Sequence, residues 1–237
     1  KFTMKLKKIA SLMLAGVMTV SMLAGCSTTA VDPEPTPNPD PVPESNYSTT
    51  FWNNLDEGKK NITCADDADL TAALTTAVGR AGTLTIAENY WGTDFVRPVD
   101  IYSRPASLSS VAAKLSELTG ADNEELFITA PHDKGMESTL NQVQNGNYCQ
   151  TDDDITAVAL FVVDGNIAID QALEDVAERL DEVIRDLQPT SQNGIYNKAY
   201  EYKYTGAVSV VSKSVDNLDG MSVNFIAVEI DRTTVQR

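Results

Sequence analysis

The most regular hydrophobic pattern in the chain lies late in it. Ile169, Ala172, Leu173, Val176, Ala177, Leu180, Val183, Ile184 and Leu187 form one stripe when residues 169–187 are wound as a helix. The opposite face is charged. Asp175 and Arg179, then Asp181 and Arg185, stand four residues apart, a spacing at which a pair contributes roughly 0.2–0.5 kcal/mol. Pro189 ends the segment. Just upstream, residues 155–163 are a nearly unbroken apolar run rich in β-branched side chains, between Asp152-Asp153-Asp154 and Asp164-Gly165. Such a run between turn signals predicts a central strand buried on both faces.

Weaker patterns predict helices over 69–78, 108–119 (Ser107 as N-cap, Gly120 past the end) and 136–144. They predict strands over 84–86, 95–102 and 126–129, with Pro98 holding the second at a sheet edge. Residues 199–212 and 222–230 alternate or run apolar around Asp216-Asn217-Leu218-Asp219-Gly220, which predicts a C-terminal antiparallel hairpin. Helices interleaved with strands and a closing hairpin give an α+β or mixed α/β sandwich, one globular domain over residues 47–237.

The N-terminal pattern is different. Lys5, Lys7 and Lys8 precede an apolar run over residues 9–24, which closes on Leu23-Ala24-Gly25-Cys26. A basic start, a short apolar core and small residues before a cut describe a secretory signal peptide, residues 4–25. The run is shorter than the ~20 residues of a spanning helix. Leu23-Ala24-Gly25-Cys26 resembles the lipobox of bacterial lipoproteins. That resemblance implies a diacylglycerol thioether on Cys26, cleavage before it, and a protein held on the outer side of a membrane. Two acyl chains anchor stably where one binds marginally. No other cofactor is expected.

Residues 26–46 are then a tether. Pro33, Pro35, Pro37, Pro39, Pro41 and Pro43 fall at every second position, with Asp32, Glu34, Asp40 and Glu44 among them. Alternating prolines enforce extended, polyproline II-like backbone. At about 3.1 Å per residue, residues 31–45 reach roughly 45 Å.

Charge sharpens this picture. The chain has 18 Lys and Arg against 34 Asp and Glu; its first 25 residues hold four of those bases and no acid, leaving 14 against 34, or −20. So acidic a body has no footprint for nucleic acid. Anionic head groups repel it, so membrane attachment falls to the acyl anchor.

Catalytic motifs are sparse. No Gly-x-Ser-x-Gly elbow, phosphate loop, His-Glu-x-x-His or zinc spacing occurs. The one histidine, His132, would serve as base if Cys149 or Cys64 were a nucleophile, but it reads more readily as a solvated residue of a polar turn. Cys64 and Cys149 would form a disulfide outside the cytoplasm, or stand as two buried thiols. Glu88 and Asp94 flank Tyr90 and Trp91, as acid and base flank a sugar, or belong to a loop around a core tryptophan. Tyr200, Tyr202 and Tyr204 face one side of a strand, as a stacking platform or as core. Asp152-Asp153-Asp154 lacks the acid ladder of a calcium loop, and no metal site is expected.

Three functions follow as expectations. The first is a non-catalytic binding or envelope-assembly module, whose partner is an envelope protein or glycan. The second is a peptidoglycan or glycan hydrolase using Glu88 and Asp94, or Cys149 and His132. The third is a small solute-binding lipoprotein, for which about 190 residues leave little room for two lobes. Oligomeric state leaves no signature in the sequence.

Overall fold

The predicted buried strand organises the fold. The computed structural model describes residues 46–121, 127–128, 154–193 and 198–237, with backbone alone at 127–128, 191–193 and 198. They all belong to one unit, Pro43–Arg237. In chain order the elements are α1 (Tyr47–Asn54), a 3-10 turn (Gly58–Lys60), β1 (Ile62–Cys64), α2 (Ala68–Arg80), β2 (Val96–Val99) and α3 (Ala106–Thr119). Then come β3 (Phe127–Ile128), β4 (Ile155–Asp164), α4 (Ile169–Arg185), β5 (Thr190–Asn193), β6 (Lys198–Ser214) and β7 (Ser222–Gln236).

One mixed sheet runs in the order β1-β6-β7-β4-β2. β6 and β7 form the long C-terminal antiparallel pair, and β4 lies antiparallel against β7. β3 and β2 share the outer edge of β4, and β1 and β5 share the outer edge of β6. The predicted α+β sandwich is therefore present, with its hairpin. Pro98 sits on the edge strand β2, where a missing N–H costs no ladder bond.

The sheet is covered on both faces, which is why β4 reads as unbroken apolar sequence. Ala157, Ala159, Phe161 and Val163 face one core with Phe51 of α1 and the stripe of α4. Val158, Leu160 and Val162 face a second core with Leu70 and Leu74 of α2 and Leu108 and Leu115 of α3. Two-sided coverage leaves no position from Ala157 to Val163 where a polar side chain gains by alternation.

Several local expectations are corrected. Residues 84–86 form no strand, because the turn residues Asp216 and Asn217 rather than a neighbouring strand satisfy their backbone. Asp216 Oδ2 accepts from Leu84 N at 2.6 Å, and Leu84 O accepts from Asp216 N at 2.8 Å. Ser107 is not the cap of α3. The helix starts two residues earlier than expected, at Ala106 behind Pro105, and the buried Ser107 hydroxyl has no hydrogen-bond partner among the described residues. Gly120 does end α3, at φ +78°. The i,i+4 pairs of α4 are replaced by other contacts, some nearer in sequence and some farther. Arg179 meets Asp94 at 2.8 Å, Arg185 holds Glu182 and Asp186, and Asp181 accepts from backbone N–H groups. The predicted helix over 136–144 lies outside the described residues, as do the signal peptide and all of the tether but Asn46, which precedes α1. Among the described residues no helix is long and apolar enough to cross a membrane.

Candidate functional site: a lysine-lined cleft at the sheet edge

The outer edge of β6 carries two short strands with a gap between them. β5 pairs with residues 198–201 and β1 with Tyr204–Gly206, leaving Tyr202 and Lys203 between. A cleft of about 480 Å³ opens there. That volume falls within the ~300–1,000 Å³ of small-ligand sites.

Each wall is fixed by a specific contact. Ser48 ties α1 to β6, its hydroxyl accepting from Val208 N at 2.9 Å. This places Trp52, whose Nε1 donates to Ile62 O at 3.0 Å. The turn that carries Lys59 and Lys60 is docked on α4 by one carboxylate. Asp181 Oδ1 accepts from Asp56 N and from Gly58 N, both at 2.9 Å. Gly58 is required for this approach, since a Cβ there would lie 3.0 Å from Asp181 O and 3.1 Å from Ile184 Cβ. Asn61 then donates to the carbonyls of Ile184 and Arg185, satisfying the C-terminal end of α4. Leu187 and Pro189 form the facing wall, and Pro189 O accepts from Tyr202 N at 2.8 Å.

Tyr202 and Tyr204 close the inner side. Tyr200, Tyr202 and Tyr204 do share one face, but α4 covers it and they are 3%, 5% and 7% exposed. An open stacking platform is therefore corrected to a core face, of which the last two tyrosines reach the cleft. Tyr204 donates to Gln188 O at 2.9 Å. Burial pushes its hydroxyl up to about 12, against a smaller opposing pull from Arg232. Arg232 is itself 2% exposed and stacks 4.3 Å from the Tyr202 ring.

The cleft's charge runs against that of the chain. Lys59, Lys60 and Lys203 line it, and no carboxylate does. Lys59 Nζ lies 4.3 Å above the Trp52 ring. Among the described residues none of the three forms an ion pair, but Lys59 Nζ donates to Asn53 O and Asn53 Oδ1, both at 3.4 Å, and Lys203 adds to the pull of Arg237 that holds the Glu201 carboxyl below its usual range. Sequence reasoning overlooked these lysines. Lys59-Lys60 is the one adjacent lysine pair after the N-terminal Lys7-Lys8, and that is the signal that pointed to them.

The other candidates are placed elsewhere or not described. Asp94 accepts from Arg179 and from Val96 N, tying its loop to α4, while Glu88 is exposed. Trp91 is core, edge-on to Tyr90 at 5.0 Å, and Arg97 covers the Tyr90 ring. Cys64 is a half-buried free thiol whose pKa burial raises to about 11. Cys26, His132 and Cys149 lie outside the described residues. Asp154 is spent on Thr234 N, and among the described residues no cluster of His, Cys, Asp and Glu is placed to hold a metal. Compared with protein-family models, curated proteins and solved structures, the chain matches none.

Proposed function

We propose that the chain is a membrane-anchored extracytoplasmic lipoprotein whose folded domain is a non-catalytic binding module, with the sheet-edge cleft as its site. One observation supports the binding reading: Lys59, Lys60 and Lys203, and no carboxylate, are among the residues that line the cleft, in a body whose net charge from Cys26 onward is −20. A cleft lined this way favours an anionic ligand. The lipobox at Cys26 and the proline tether support the location. The engagement of Asp94 with Arg179 counts against an acid–base pair with Glu88.

Two experiments test this. Cys26→Ser should move the protein from the membrane to the soluble fraction and abolish its labelling by radioactive palmitate; retention and labelling would overturn the anchor. The triple variant His132→Ala, Glu88→Gln, Asp94→Asn should match the parent protein when both are mixed with purified cell wall, neither releasing soluble fragments. Release by the parent that the variant loses would establish a hydrolase instead.

A further inference from the structure

We propose that β2 is a sealed edge, whose outward N–H groups are blocked within the chain so that a second copy cannot add to the sheet there as a further strand. Nothing in it depends on the cleft.

An open edge strand is a template for association. Its outward N–H and C=O groups pair with any extended chain, and a sheet built on a strand as apolar as β4 is the more exposed to that hazard. Among the described residues β2 ends the sheet on its side, and no strand pairs with its outer edge.

The register decides which groups face outward. Asp164 N donates to Phe95 O at 3.2 Å, and Val96 lies opposite Val163. Bonded and non-bonded pairs alternate along an antiparallel ladder, so Phe95, Arg97 and Val99 turn their backbone groups toward β4. Val96, Pro98 and Asp100, just past the end of the strand, turn theirs away.

Each outward position is closed by a different means. Val96 N donates to Asp94 Oδ1 at 3.3 Å. Pro98 has no N–H to offer. Asp100 N donates to Ser103 Oγ at 2.8 Å, and Asp100 O accepts from Ser103 N at 3.2 Å. A strand laid along this edge would bring its own carbonyls to these positions and find no donor, and a carbonyl stripped of water without a partner is unfavourable.

The group that blocks Val96 is itself held. The same oxygen, Asp94 Oδ1, accepts from Arg179 of α4 at 2.8 Å. The carboxylate therefore cannot swing off the strand without losing its ion pair as well.

The test is analytical ultracentrifugation of the full-length chain in detergent, with hydrogen exchange on the same samples. The triple variant Asp94→Ala, Pro98→Val, Ser103→Ala opens the outward N–H at positions 96, 98 and 100. It should self-associate at concentrations at least about tenfold lower than the parent protein, and those amides should exchange more slowly in the associated form. Asp94→Asn keeps the acceptor and should sediment like the parent. In the parent, the Val96 and Asp100 amides should already be protected from exchange. A folded triple variant that associates no more readily than the parent would overturn the proposal. So would association that leaves the three amides unprotected, free exchange of Val96 and Asp100 in the parent, or association of Asp94→Asn equal to that of the triple variant. Should the triple variant not fold, the double variant Pro98→Val, Ser103→Ala, which keeps the Asp94–Arg179 contact, is judged by the same two readouts.

Discussion

The side-chain amide of Asn217 forms both hydrogen bonds that a neighbouring strand would make to Ile86. Ile86 N donates to Asn217 Oδ1 at 3.1 Å, and Asn217 Nδ2 donates to Ile86 O at 2.9 Å. One turn residue thus holds an extended segment whose own side chain is buried in the second core. Asn217→Ala leaves two backbone groups of a half-buried segment without partners, at about 1–3 kcal/mol for such a loss. Urea unfolding should show that decrease, and Asn217→Asp, which keeps the acceptor and loses the donor, should fall between. An unchanged midpoint in Asn217→Ala would show that water replaces the amide.

Gly165 makes a second tight approach, at the end of β4. Its N–H donates to Ser222 O at 2.9 Å, and a Cβ built on it would lie 2.2 Å from Ser222 Oγ and 2.5 Å from Ser222 O. The Oγ can rotate away, but the carbonyl belongs to β7 and cannot move without shifting the ladder. Gly165→Ala should destabilise by about 1–3 kcal/mol, the usual cost of overpacking. Pairing it with Ser222→Gly separates the two contacts. If the double variant regains the parent midpoint, the hydroxyl was the whole obstacle and the backbone contact is immaterial.

What the sequence shows of this fold follows from burial. β4, α4 and the C-terminal pair were legible because each buries a long apolar pattern of one period, as in Ala157–Ala159–Phe161–Val163 on one face of β4. α1, β1 and β5 were not. β1 spans three residues and β5 four, too few for a period to register, and α1 hides its one fully buried aromatic, Phe51, among polar residues. The segment 84–86 misled because Leu84 and Ile86 alternate like a strand while their partners are two turn residues, Asp216 through its carboxylate and backbone N–H and Asn217 through its amide. The cleft was illegible for a related reason. Trp52, Lys59–Lys60 and Lys203 meet only because β1 joins β6 in parallel, a pairing of segments about 140 residues apart that no local pattern announces.

Rising alkaline pH should lower the stability of the domain in two overlapping steps that two substitutions can separate. Burial raises the Cys64 thiol from 9.0 to about 11 and the Tyr204 hydroxyl from 10.0 to about 12. For each group the folded pKa lies above the unfolded one, so the unfolded chain loses its proton first. The stabilising contribution is whole below the unfolded value and lost as pH rises through the folded one. Denaturant midpoints should therefore be flat up to about pH 9, decline from 9 to 11 with Cys64, and decline further from 10 to 12 with Tyr204. Cys64→Ser should remove the earlier slope and Tyr204→Phe the later one. A parent protein whose midpoint stays level to pH 12 would show that neither group is shielded from water.

Asp94 and Arg179 distinguish a structural carboxylate from a catalytic one. Their contact of 2.8 Å joins the loop before β2 to α4, and both side chains remain partly in solvent, at 42% and 25% exposure. Partly exposed ion pairs contribute roughly 0.2–1 kcal/mol and weaken with salt. Asp94→Asn should accordingly lower stability by less than about 1 kcal/mol at low salt, and the difference should shrink toward zero at 1 M sodium chloride. The amide still accepts from Val96 N, so the loop keeps its turn and the variant stays folded. Arg179→Met should cause a loss of similar size, and the double variant should lose no more than either single one, because one interaction is removed in all three. A catalytic Asp94 would behave otherwise. Its replacement would leave stability nearly untouched or raise it, would gain nothing from salt, and would not be coupled to Arg179 in a double-mutant cycle.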